Sequence, residues 1–273
     1  TGFLSASRPS SGGSTTTLCS GSRAVEGPRP LLALPVEVVT IVELRAGEPF
    51  CRIQVALDNP CGDHRLRFHI PLPRRARFSA AEGQFAVVER GLEAESGFGE
   101  VPLPTFPAYG FVDAGGVAVL LNHAVEYELL AGRELALTLL RATGLISRSA
   151  HPYRESPAGP EVAIPAAQCR GPWSVEFALY PHDGTWHDAG VLAQLERYRH
   201  PFLVARGQAL DGPRSARGPE LTGDGVVLSA LRRRGRRVEA TMAREHPQPV
   251  SAGFGNAQVE LRPWEIRSVE LPT

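Results

Sequence analysis

Between Tyr180 and Asp188 the chain reads YPHDGTWHD, two histidines and two aspartates in nine residues. Such a set suggests a metal site or an acid–base pair. A zincin-type metal site needs two histidines four apart on one helix face with a glutamate between them. His182 and His187 are five apart across a glycine turn, the first at a strand end and the second at a helix start. They share no face, so no metal ligands are assigned here. A strand-to-helix corner accounts for the same residues: Asp183 or Asp188 would favour the positive helix N-terminus, and Thr185 or Asp183 would cap it. No G-x-S-x-G elbow is present, and Ser147, Ser174 and Ser229 sit in strand-like contexts without a local base. Cys169, in AAQCRG, reads as buried. GFGNAQ (Gly253–Gln258) lacks the strand–turn–helix context of a phosphate loop and reads as a β-turn. Glu126, Glu128, Glu161, Glu176 and Asp183 are the carboxylates for paired glycosidic chemistry. They read as solvated, with Glu126 and Glu128 flanking Tyr127 as an exposed edge would. No catalytic residue is assigned.

A binding role falls elsewhere. A strand ending in Arg141 opens a long segment that carries Arg148, His151, Tyr153 and Arg154 before Gly171. It is cationic, aromatic and rich in donors, which suits sugar hydroxyls. Loops of this length are often functional. An ordered surface excursion is the alternative. Arg141, Arg148, His151 and Tyr153 are the candidate substrate-binding residues.

The elements that must position these residues are mostly strands. EVVTIVEL, CRIQVALDN and HRLRFHIPLP alternate apolar and polar residues; the last puts Leu66, Phe68 and Ile70 on one face and Arg65, Arg67 and His69 on the other. Further short strands follow, punctuated by 28 Gly and 24 Pro. This predicts an all-β fold built on a large antiparallel sandwich. One amphipathic helix is expected, with Ala189, Leu192, Leu195 and Tyr198 three to four apart before Pro201. The Ser/Thr/Gly-rich lead-in, 1–26, is expected to be mobile or pinned by a neighbour. The main sandwich is placed at 27–206, a Gly/Pro-rich linker at 207–220, and a small β unit of about four strands at 221–273.

Basic and acidic residues number 29 each, which excludes the basic excess of a nucleic-acid or anionic-membrane binder. Every cation is arginine, so LRRRGRR (Leu231–Arg237) reads as a solvated turn. The most apolar run, Pro30–Leu44, is too short and too charged to span a membrane. The four cysteines lack metal-ligand spacing, and no signal peptide is visible; a reduced cytoplasmic protein is expected.

Six segments in register carry more information than any single motif: DNPCGDHRLRFHIPLP, GGVAVLLNHAVEYEL, LALTLLRATGLISR, AGPEVAIPAAQCRG, FALYPHDGTW and LRPWEIRSVEL. Together they resemble the C-terminal β region of family 38 glycoside hydrolases, the α-mannosidases, over about Pro28 to Leu271. The resemblance implies a galactose-mutarotase-like supersandwich followed by smaller β elements. It implies a retaining exo-glycosidase whose aspartate nucleophile and zinc lie in an N-terminal α/β barrel that this chain does not contain. The chain is then expected to be inactive alone and to need no cofactor itself. Its partners would be that barrel and a mannose-containing glycan at the shared cleft. The family's rim arginine matches Arg141, with Arg148 as the alternative. The family's rim tyrosine, in a G-D-x-Y-like stretch, has no match: Gly12–Gly21 has neither Asp nor Tyr. The shared fold also raises a mutarotase-like epimerase using His69, His123 or His151 as acid. A stand-alone carbohydrate-binding or structural module is a third reading. Its stacking platforms would be Trp173, Trp186 or Trp264, all in core-like or turn-like contexts.

Overall fold

A computed structural model describes residues 14–19, 33–97, 99–200, 207, 215 and 217–271, and its regular structure is almost all extended. The first strands are β1 (Ser14–Cys19), β2 (Ala33–Leu44), β3 (Cys51–Asn59), β4 (Arg65–Pro71), β5 (Ser79–Glu82) and β6 (Val87–Arg90). Next come β7 (Thr105–Ala108), β8 (Phe111–Ala114), β9 (Val117–Leu121), β10 (Val125–Leu130), β11 (Glu134–Arg141) and β12 (Gly171–Pro181). The helix α1 (Val191–Arg199) precedes β13 (Leu221–Thr222), β14 (Val226–Arg234), β15 (Arg237–Arg244), β16 (Val250–Phe254), β17 (Ala257–Leu261) and β18 (Ile266–Leu271). All four sheets are antiparallel. One has eight strands, ordered β1-β2-β3-β12-β9-β8-β5-β6; a second has four, β4-β11-β10-β7. Two three-stranded sheets, β13-β16-β17 and β14-β15-β18, complete the fold.

The alternation along β3 and β4 explains why the two large sheets stack. Val55 and Leu57 of β3 and Leu66 and Ile70 of β4 enter one buried cluster with Val119, Tyr127, Leu137 and Phe177. The other face of the eight-stranded sheet is buried too. Ala118, Leu120 and Ala178 meet Val191, Leu192, Leu195 and Tyr198 of α1, together with Phe50, Phe111 and Trp186. This is why β9 is a continuous apolar run, VAVLL, with every residue buried: odd positions face the sandwich and even ones face the helix. Each large side chain so placed contributes about 2 kcal/mol. The β8–β9 turn is Gly115–Gly116, with φ of 57° and 92°, a conformation that suits a two-residue hairpin. A Cβ on Gly115 would lie 2.2 Å from the carbonyl oxygen of Arg74, so glycine is required twice over.

Several expectations change. Ser14–Cys19, within the lead-in, is a strand paired to residues 33–38, in keeping with the β propensity of a Thr-rich run. The remainder of 1–26, which includes both ends of Gly12–Gly21, and most of the 207–220 linker lie outside the described residues. The C-terminal part has six strands rather than four, around a cluster of its own: Val226, Ala240, Met242, Ala252, Phe254 and Leu261. LRRRGRR is a hairpin whose turn is only Gly235–Arg236; Leu231 to Arg234 belong to β14.

The helix begins later than its pattern suggested, at Val191, behind Gly190 in the left-handed region and without a side-chain cap. Thr185 and Asp188 cap the turn before it instead. The Asp188 N–H donates to Thr185 Oγ1 (3.3 Å), and Thr185 Oγ1 donates to Asp188 Oδ2 (2.6 Å). The capping signal was real, but it belongs to a separate turn that delivers Trp186 to the core.

Candidate functional site

The outer face of the four-stranded sheet carries Arg141. Arg65, Arg67 and His69 of β4 point outward, as their alternation predicts; Arg65 and Arg67 reach across β11 to acids on β10, and His69 meets an acid of β11 itself. Arg65 Nη1 donates to Glu126 Oε1 (2.9 Å), Arg67 pairs with Glu128, and His69 Nδ1 meets Glu134. The reach is possible because β11 offers only Ala136 and Thr138 between them on that face. Glu126 and Glu128 are therefore not on an exposed edge. Their strand lies between β7 and β11, and both carboxylates are ion-paired.

A β-bulge decides which way Arg141 points. Simple alternation from Thr138 would turn Leu140 outward and Arg141 into the core. The register shifts between Thr138 and Leu140, so Leu139 and Leu140 are both buried and Arg141 falls opposite Arg65 on the outer face. Arg141 Nη1 donates to Glu126 Oε2 (3.3 Å), while the other carboxylate oxygen accepts from Arg65 and from Thr138 Oγ1 (3.0 Å). The Arg141 side chain is 67% exposed, against 24% for Glu126, so an anchored guanidinium is left with donors facing solvent.

The long segment after Arg141 is fastened at its base. Asp63 N–H donates to Gln168 Oε1 (2.7 Å), Gln168 Nε2 donates to Asp63 Oδ1 (3.0 Å), and Gly144 N–H donates to the same oxygen (2.9 Å). Asn59 Nδ2 donates to the carbonyls of Gln168 (3.2 Å) and Cys169 (2.9 Å). Three motifs far apart in sequence, DNPCGDH, RATG and AAQCRG, thus form one knot. A Cβ on Gly62 or Gly144 would sit 2.7 or 2.5 Å from the Gln168 amide, which is why both are glycine.

Beyond the knot the candidate residues split into groups. The Ser149 N–H donates to Glu161 Oε2 (3.1 Å). That bond, the Ser149 hydroxyl and the nearby Arg148 charge hold the Glu161 carboxyl below its usual range. The Tyr153 N–H donates to His151 Nδ1 (3.2 Å), and the two rings stand 5.3 Å apart, with Tyr153 44% exposed. The Tyr153 carbonyl accepts from Val101 N–H (2.7 Å), tying the loop to its neighbour. Arg141 therefore keeps company with Glu126, and Arg148, His151 and Tyr153 with their own loop. Of the epimerase candidates, His69 is engaged by Glu134 and His123 is exposed in the β9–β10 turn.

The YPHDGTWHD corner is built as a lock. His182 Nε2 meets Asp113 Oδ1 at 2.9 Å with only 3% of its side chain exposed. The Asp113 bond raises the imidazole's affinity for a proton, against the opposing effect of burial. Arg74 donates to Asp183 Oδ1 (2.6 Å) and to the His182 carbonyl (3.2 Å), and Trp186 packs on Phe111 at 5.7 Å. His187 stands against the His246 ring at 5.1 Å. Every polar group of the motif is spent on the corner, and among the described residues no group of three His, Cys, Asp or Glu side chains is arranged to hold a metal.

Two carboxyls escaped the sequence reading. Glu82 ends β5 and Glu245 follows β15; they are 6% and 5% exposed, and α1 runs beside both. Burial, the facing Glu245 and Glu196 push Glu82 up to about 8, with Arg199 opposing. Burial and Glu196 push Glu245 up to about 7. Arg199 cannot neutralise both, since it donates to the carbonyls of Leu121 (2.8 Å) and Tyr109 (2.6 Å). Glu82 Oε2 is buried without a hydrogen-bond partner and packs on Gly110. Nothing in SAAEGQF marks this: a glutamate before a glycine reads as a turn.

Comparison with known proteins places this architecture. No family model matches the chain. A curated protein, a putative mannosylglycerate hydrolase of Halalkalibacterium halodurans, is 26% identical over 206 residues, covering 71% of this chain and 21% of that protein. Two solved structures from Enterococcus faecalis share the fold. One, a protein in glycosyl hydrolase family 38, has a TM-score of 0.66 at 19% identity, covering 88% of this chain and 30% of its own. The other, an alpha-mannosidase of strain V583, has a TM-score of 0.71 at 20% identity, covering 94% and 33%. The protein is an all-β chain with the architecture of a region of these proteins, in agreement with the resemblance read from its motifs. It spans about one fifth of the curated relative and about a third of each solved chain. Among the described residues no helix is long and apolar enough to cross a membrane.

Proposed function

We propose that this chain is the non-catalytic C-terminal β domain of an α-mannosidase-like retaining glycosidase, packing on a catalytic barrel and completing its cleft. Its parts are the sandwich at 27–206, the linker at 207–220 and the β unit at 221–273. The observation that carries the reading is partial coverage: a fold shared over nearly the whole of this chain occupies only 30–33% of the matched family 38 structures. In such a parent the hydrolysis is a two-step displacement through a glycosyl-enzyme intermediate. A zinc ion would belong to the barrel, since the histidines and carboxylates of the YPHDGTWHD corner are committed to structural bonds. This chain contributes positioning. Arg141, braced by Glu126, donates to sugar hydroxyls from the end of β11, with Arg148, His151 and Tyr153 on the adjoining loop.

The test is direct. The isolated chain, given zinc and an aryl α-mannoside, should show no turnover; turnover would refute the reading. In the complete polypeptide, Arg141→Ala should raise KM about tenfold, the loss of a charged hydrogen bond, with Tm unchanged.

A further inference from the structure

Between β4 and β5 the chain reads PLPRRARF, Pro71–Phe78, and is laced to two hairpin turns. The Leu72 N–H donates to the Arg133 carbonyl (2.9 Å), the Arg74 N–H to that of Gly115 (2.9 Å) and the Ala76 N–H to that of Gly132 (2.8 Å). Ala76 packs against the sandwich core, and Arg75 and Arg77 on either side of it are exposed. The β5–β6 ladder ends at the pair Ser79–Arg90, and beyond it the two chains part. Arg75, Ala76 and Arg77 on one side and Gly91, Leu92 and Glu93 on the other line a cleft of about 670 Å³, a size suited to a small molecule.

The charged groups here fall into two sets. The arginines just outside the cleft are engaged: Arg74 donates to Asp183 Oδ1 (2.6 Å), and Arg90 donates to the Pro107 carbonyl (3.4 Å) and lies over the Phe106 ring (5.2 Å). Those that line it are not. Among the described residues the side chains of Arg75, Arg77 and Glu93 make no hydrogen bond or ion pair, with one another or with anything else. Two guanidinium groups on a fixed backbone repel each other unless an anion lies between them. Each offers a planar fork that matches carboxylate or phosphate oxygens. The carboxylate opposite repels a bare anion but accepts from a hydroxyl. The combination selects an anion that also carries hydroxyl groups.

We propose that this cleft binds a small hydroxylated anion, a sugar phosphate or a sugar acid, with its anionic group on Arg75 and Arg77 and a hydroxyl donated to Glu93. Leu92 gives the carbon skeleton an apolar contact. The cleft is not the Arg141 site. The Gly132 turn that anchors Ala76 precedes β11, and Arg141 ends it, about 25 Å away along the strand. The proposal goes beyond the function proposed above and does not rest on it.

Calorimetry on the chain tests it, with glucose 6-phosphate and gluconate as probes and glucose and inorganic phosphate as controls. At least one probe should bind with a Kd of about 1 mM or below, and which one binds distinguishes phosphate from carboxylate. Glucose should give no heat, and inorganic phosphate should bind at least about tenfold more weakly than the probe. Arg75→Ser with Arg77→Ser should weaken the probe about 100-fold, two charged hydrogen-bonding groups being lost. Gly91→Phe keeps both arginines and should block the cleft; a Cβ at Gly91 meets nothing within 4 Å, so the fold accepts it. Glu93→Gln should weaken the probe about threefold and strengthen inorganic phosphate. Tm should stay unchanged in all of them, because Arg75, Arg77 and Glu93 hold no partner among the described residues. Absence of binding by both probes would overturn the proposal. So would inorganic phosphate binding as tightly as the probe, or probe binding that survives the double arginine variant and Gly91→Phe.

Discussion

Glu126 and Glu82 are the same residue type in two opposite settings. Glu126, on the outer sheet face, accepts from Arg65, Thr138 and Arg141 and remains a quarter exposed. Glu82, at the seam of β5, α1 and the C-terminal part, is buried, faces other acids and has an oxygen without a partner. The first arrangement aims a cation at solvent. The second makes the packing of three elements depend on a proton. A partly exposed carboxylate with several donors is stable as an anion, whereas a buried one short of donors is stable only when neutral. Function that needs a charge at hand belongs at the first kind of site, and sensitivity to pH at the second.

The contrast can be broken most severely at Gly110. A Cβ there would fall 1.4 Å from Glu82 Oε2 and 2.7 Å from Leu195 Cδ2, so Gly110→Ala should cost about 3 kcal/mol by chemical denaturation. Adding Glu82→Ala should restore part of the loss; full additivity of the two would show that Glu82 does not occupy that space.

A smaller effect is expected at the lock on the far side of the helix entry. His182→Ala removes a nearly inaccessible bond to Asp113 and should cost about 2 kcal/mol, with zinc binding by calorimetry unchanged. His182 takes up its proton more readily when folded, so the pair's contribution is full below the usual 6.5 and fades as pH rises through the elevated value. Thermal unfolding of the wild type and variant should therefore converge as the solution is made alkaline.

Glu82 sharpens the comparison through pH alone. Its folded-state value, about 8, is raised from 4.5, so its neutral form supports the fold fully below 4.5, and that support is lost as pH rises through about 8. Melting curves between pH 5 and 9 should show Tm falling by several degrees, and Glu82→Gln should flatten the fall. An equally steep fall in the variant would assign the pH dependence to other groups.

Some of this was legible in residues alone. Period-two patterns in β3 and β4 identified the inward set, and the Arg65, Arg67, His69 row was correctly placed outside, because alternation follows from strand geometry. Five quoted motifs run directly through the sandwich strands and the loop knot. The bulge in LTLLR was not legible, because two adjacent leucines fit either phase of a strand. Nor was the α1 start, where a capping signal served a turn rather than the helix.

By itself, then, the sequence determined the fold class, the alternating faces, the amphipathic helix α1 and the position of Arg141 at a strand end. All of these depend on local periodicity and turn chemistry, which act over a few residues. Only the tertiary structure decided that Arg141 faces outward onto Glu126, that His182 is spent on Asp113, and that Glu82 and Glu245 lie beside one helix. Those facts depend on which strands become neighbours, and contacts such as that of His182 with Asp113, 69 positions apart, carry no local signature.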